Sequence, residues 1–127
     1  MGVVYTAVLM PSRREQIRDV LQTLASEKQQ LSYECDCPHV DVTAELVEQW
    51  FSDLFHGRNP GEWPDDMTFD DTERAALSEF HLFYRQCLPQ LPPSNGTVRT
   101  WLQCSVWRDI MEKAKTTLER VRDEQRA

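Results

Sequence analysis

Glycine is scarce in this chain, with four in 127 residues at positions 2, 57, 61 and 96. That distribution leaves no glycine-rich loop to cradle a phosphate and no dinucleotide fingerprint. The nucleophile elbow G-x-S-x-G and the zinc helix H-E-x-x-H are also missing. No resident cofactor is therefore expected. Long hydrophobic runs are lacking too: the longest, Val3 to Met10, is about half of the roughly 20 residues a bilayer span needs, and it contains Thr6. No Lys or Arg precedes that run, and no small-residue cleavage site follows it before Pro11, so it does not read as a signal peptide and a cytoplasmic location is expected. Positive charge is in deficit, 14 basic against 21 acidic residues for a net charge of −7. Such a surface argues against binding nucleic acid or an anionic membrane directly and favours a basic protein partner. The four cysteines, in a reducing compartment, are expected as free thiols rather than a disulfide framework.

What is present reads as one α-rich domain over 1–127, large enough to fold without staples. Ser12 and Glu15 stand at capping-box spacing, and Ile17, Val20, Leu21, Leu24 and Ala25 follow at helical spacing, predicting a first helix over 13–29. Leu31, Tyr33, Cys35 and Cys37 alternate with Ser32, Glu34 and Asp36, the pattern of a half-buried strand. Residues 3–10 suit a short buried strand as well, with a helical turn or an extended arm as the alternatives. A short strand pair, 3–10 with 31–37, is thus one expectation beside about four main helices. From Thr43, Leu46, Val47, Trp50, Phe51, Leu54 and Phe55 recur as pairs four apart, with Glu45, Glu48 and Asp53 facing water, until Gly57. A third helix starts at Asp70–Glu73, again at capping-box spacing, and carries Ala76, Leu77, Phe80, Phe83, Tyr84, Cys87 and Leu88 inward until Pro89. The stretch 97–104 fits a short helix or a strand. Trp107, Ile110, Met111, Ala114, Leu118 and Val121 mark a last helix, and the charged tail from Arg122 is expected to fray.

Two groups of residues invite a chemical reading. If 31–37 is a strand, Cys35, Cys37 and His39 share one face and offer three donors to a metal. The second ligand pair usual for zinc is missing downstream, so the simpler reading makes the cysteines small inward-facing side chains and places His39 in the turn after Pro38. His81 and Cys87, six apart on one helix, sit on poorly matched faces for a thiol and its base. The other group is the segment EWPDDMTFDDTE. Its acids Glu62, Asp65, Asp66, Asp70, Asp71 and Glu73 are interleaved with Trp63, Met67 and Phe69. One reading has the aromatics pin a loop while the acids solvate it and cap a helix. The other makes Glu62, Trp63, Asp65, Asp66, Asp70, Asp71 and Glu73 a docking surface, in which carboxylates steer a basic partner and an aromatic anchors it.

From Phe69 to Val121, FDDTERAALSEFHLFY, a proline-rich turn and SVWRDIMEKAKTTLERV resemble small bacterial immunity proteins of polymorphic toxin systems. The resemblance rests on an acid-capped helix with Phe80 at its centre and a last helix bearing Trp107, Ala114 and Leu118. It implies a small cytosolic protein, not an enzyme, that inhibits one toxin by binding it. The alternatives are a small zinc protein or enzyme built on Cys35, Cys37 and His39, and a structural adaptor subunit.

Overall fold

A computed structural model describes residues 12–60, 69–93 and 97–122. Among these, six α-helices and no strand occur: α1 Arg13–Ala25, α2 Glu27–Asp36, α3 Val42–Glu48, α4 Asp71–Cys87, α5 Val98–Leu102 and α6 Ser105–Arg120. A π-helical segment, Gln49–Leu54, continues α3, and a 3-10 turn, Leu88–Gln90, follows α4. The expected strand 3–10, most of the loop 57–69 and the tail beyond 122 lie outside the described residues.

The expected strand 31–37 is instead the body of α2, and the expected helix 13–29 is broken at Ser26. The break has a local cause. The Ser26 hydroxyl accepts the Gln29 amide at 3.1 Å and starts a new helix, while the Ser26 amide closes α1 on the Thr23 carbonyl at 3.2 Å. Ser26 and Gln29 have the spacing of a capping box, a signal present in the sequence. Side chains then fix the helix against its neighbours. Gln30, fully buried, donates to the Thr23 and Leu24 carbonyls at 3.0 Å each and accepts the Trp107 indole N–H at 3.0 Å. Glu34 accepts the Val98 amide at 2.8 Å and so covers the start of α5. Four alternating positions are too few to outweigh these partners, and helical residues 31–36 leave Cys35 exposed rather than inward. Replacing Ser26 by Ala is expected to cost about 1 kcal/mol in chemical denaturation, by removing the cap at the α1–α2 corner.

The run of pairs four apart also has a structural consequence. Residues spaced by four drift around an ordinary helix of 3.6 residues per turn. A wider turn keeps Leu46, Trp50 and Leu54 in one buried row and Phe51 and Phe55 in the next, which is what the π segment achieves. It ends at His56 and Gly57, with φ of 49° and 79°, and the Gly57 amide returns to the Phe51 carbonyl at 2.7 Å. Gly57 serves here because of that φ, since a Cβ built on it meets nothing within 4 Å.

The remaining helices match the sequence spacing closely, and 97–104 resolves as the short helix α5, with Thr97 capping it through the Thr100 amide. Helix α6 runs between α1 and α4 and packs on both. Its inward residues Trp107, Ile110 and Ala114 are fully buried. A row of rings crosses the core: Phe55 to Trp50 at 4.8 Å, Trp50 to Phe80 at 4.8 Å, Phe80 to Tyr84 at 5.6 Å, Tyr84 to Trp107 at 6.2 Å and Trp107 to Trp101 at 4.8 Å. Tilted and edge-on contacts at these distances add to the burial of the rings themselves.

Candidate functional site

Of the acidic segment, Glu62, Trp63, Asp65 and Asp66 lie outside the described residues, and the structure divides the other three. Asp71 is exposed in the first turn of α4. Asp70 caps that helix, accepting the Glu73 amide at 2.8 Å, and its other oxygen takes the Arg122 guanidinium at 3.1 Å. Glu73 is not at the surface. It is 1% exposed, and its carboxylate accepts from Arg14 at 2.6 and 3.1 Å, from the Arg122 amide at 2.8 Å and from the Asp70 amide at 3.1 Å. Burial alone would raise its pKa, but the Arg14 hydrogen bonds, those two amides and the Arg14 charge outweigh burial and hold it down at about 2. Arg14 also stacks over Phe69 at 4.6 Å and donates to the Arg122 carbonyl at 2.9 Å. Glu73 therefore joins the starts of α1 and α4 to the end of α6. It belongs to the fold, not to a docking surface, because a carboxylate enclosed by this many donors has no face left for a partner.

The described acids that remain accessible include a second place that sequence spacing does not reveal. A groove of about 420 Å³ lies between α1 and the π segment, with Gln16, Asp19 and Thr23 on one side and Gln49, Asp53 and Leu54 on the other. Its lining holds two exposed carboxylates and no basic side chain. Arg13, beside it, is engaged with the Leu54 carbonyl at 3.0 Å and lies over the Phe55 ring at 5.3 Å. Asp19 and Asp53 are 34 positions apart, so only the packing of α1 on the π segment brings them together. Asp53 facing water was legible from its position between the apolar pairs; its pairing with Asp19 was not.

Helix α2 changes the arrangement expected for Cys35, Cys37 and His39. Cys35 is in α2, Cys37 is its cap and His39 stands in the turn beyond, so the shared strand face assumed for the three donors does not exist. Among the described residues no group of three His, Cys, Asp or Glu side chains has metal-holding geometry. Burial, then the Asp109 charge, raises the Cys87 pKa and keeps the thiol protonated. His81, 2% exposed, accepts the Trp50 indole N–H on Nδ1 at 3.2 Å, within the ring cluster of Phe51 and Phe55. That lone pair is thereby occupied in holding two helices together.

Among the described residues no helix is long and apolar enough to cross a membrane. Comparisons with models of protein families, with curated proteins and with solved structures find no match.

Proposed function

We propose that this chain is a non-enzymatic binding protein of the immunity type, which neutralises a basic toxin domain by covering it through an acidic surface. The observation that carries the reading is the division of labour among the charged groups. The buried ones are committed to packing, Glu73 with Arg14 and His81 with Trp50, whereas accessible carboxylates remain at Asp71 and, lining one groove, at Asp19 and Asp53. The resemblance of 69–121 to immunity proteins supports the same direction, as does the net charge of −7. Carboxylates on the surface of such a protein speed encounter with a basic partner and set its orientation.

The test begins with the product of the gene next to this one, used as bait for co-purification. Asp65, Asp66 and Asp71 changed together to Asn should slow association about tenfold at low salt and flatten its dependence on ionic strength, with the fold intact. A separate Asp19→Asn, Asp53→Asn variant reports on the groove between α1 and the π segment. Asp70 and Glu73 are left alone, since both hold the helix start. Unchanged association rates in both variants would remove the acidic surface from the reading.

A further inference from the structure

A second groove, about 310 Å³, lies where α3, the turn after α4 and α5 meet, and it differs in chemistry from the first. Its walls are Val47, Leu88, Leu91, Pro92 and Trp101, with the exposed carboxylate of Glu48 at its rim. Trp101 is 2% exposed, and its indole N–H is buried with no hydrogen-bond partner. A buried donor left without an acceptor is destabilising, a penalty that an incoming acceptor would relieve. The size is at the lower end for ligand sites and suits one side chain with its peptide unit rather than a cofactor.

We propose that this groove receives an apolar side chain from a basic segment of a protein partner. The carbonyl beside that side chain accepts from the Trp101 indole, whose buried N–H is uncovered as the segment seats, and an adjacent Lys or Arg pairs with Glu48. Three features select this occupant: the apolar walls require a hydrocarbon, the orphan donor requires an acceptor, and the rim carboxylate repels anions and attracts cations. Glu48 has no ion pair among the described residues, so it is available to do so. The proposal rests on the reading of the chain as a protein-binding molecule but not on the segment 62–73.

The test is titration of the full chain with acetyl-Leu-Lys-amide, following the indole N–H resonances by NMR and assigning Trp101 from the Trp101→Phe variant. The Trp101 proton should move downfield. Acetyl-Gly-Lys-amide should bind on the order of 30-fold more weakly, having lost the buried side chain. Acetyl-Leu-Glu-amide should bind about fivefold more weakly, its charge now opposed to Glu48. Leu91→Ser should weaken the Leu-Lys probe about tenfold while the other indole resonances keep their positions. A Trp101 resonance unmoved to the solubility limit overturns the proposal, as do equal responses to the Leu-Lys and Gly-Lys probes. Equal responses to the Leu-Lys and Leu-Glu probes overturn the assignment of a basic segment. Asp65→Asn with Asp66→Asn should leave the Trp101 response unchanged, so failure of the groove and failure of the acidic surface give different results.

Discussion

Replacing Arg14 by Met lowers the free energy of unfolding by about 3 kcal/mol, read from urea denaturation, because it leaves the buried Glu73 carboxylate with only the longer contact to the exposed Arg122 guanidinium, at 3.6 Å. The geometry sets the size of the effect: Arg14 is 7% exposed and Glu73 is 1% exposed, so water cannot replace the lost partner. The double variant Arg14→Met, Glu73→Gln is expected to be more stable than Arg14→Met alone, since it removes the stranded charge. It will not regain the full stability, because the amides of Asp70 and Arg122 also use this carboxylate and a carboxamide offers one acceptor oxygen instead of two. Equal losses in the single and double variants would mean that the buried charge is not what destabilises the single one.

The same cluster is expected to make the fold sensitive to acid. The Glu73 pKa is about 2 in the folded chain against an ordinary 4.5, so the unfolded state binds the proton more readily. Its contribution, on the order of 3 kcal/mol, is fully present above pH 4.5 and is lost as the pH falls towards 2. Stability measured across that window should therefore drop in the parent chain and drop less in Glu73→Gln. A parallel decline in both would assign the acid transition to other carboxylates.

Trp107→Ala is the other large effect, with an expected loss of about 3–5 kcal/mol from the cavity left between α4, α5 and α6. Trp107 is fully buried, stacks near Tyr84 and Trp101, and donates to the equally buried Gln30. Trp107→Phe keeps most of the ring but strands the Gln30 oxygen, so about 1–3 kcal/mol of the loss should persist. Gln30→Met combined with Trp107→Phe should then be less destabilising than the sum of the two changes. Additive losses would show that the hydrogen bond between α2 and α6 is not coupled to the packing around it.

Both effects depend on residues whose roles were unequally visible in the chain. Trp107 was readable as a core residue from its place in the three-and-four spacing of the last helix, and α4 from the Asp70–Glu73 cap. Gln30 was not readable, because a single polar residue beside an apparent strand gives no sign that its amide will bridge two helices. Glu73 was half readable. Its spacing from Asp70 announced the capping box, while its selection by Arg14, 59 positions earlier, has no local signature. The acidic segment looked uniform in sequence for the same reason: spacing cannot distinguish a carboxylate that faces water from one that meets a guanidinium from elsewhere in the chain.

The sequence by itself determined the helical class, the starts of the helices at Ser12 and Asp70, and the apolar rows that face inward, because caps and 3.6-residue spacing act between near neighbours; that 97–104 is a helix and not a strand was decided by the structure. The end of the first helix was also written locally, in Ser26 and Gln29, although the alternation that follows them points to a strand. Only the tertiary structure decided which acids are buried, which two line the α1 groove, and that Trp101, in the lining of an apolar groove, keeps a donor without an acceptor. Those outcomes depend on contacts between residues tens of positions apart, and such contacts form only when the helices pack.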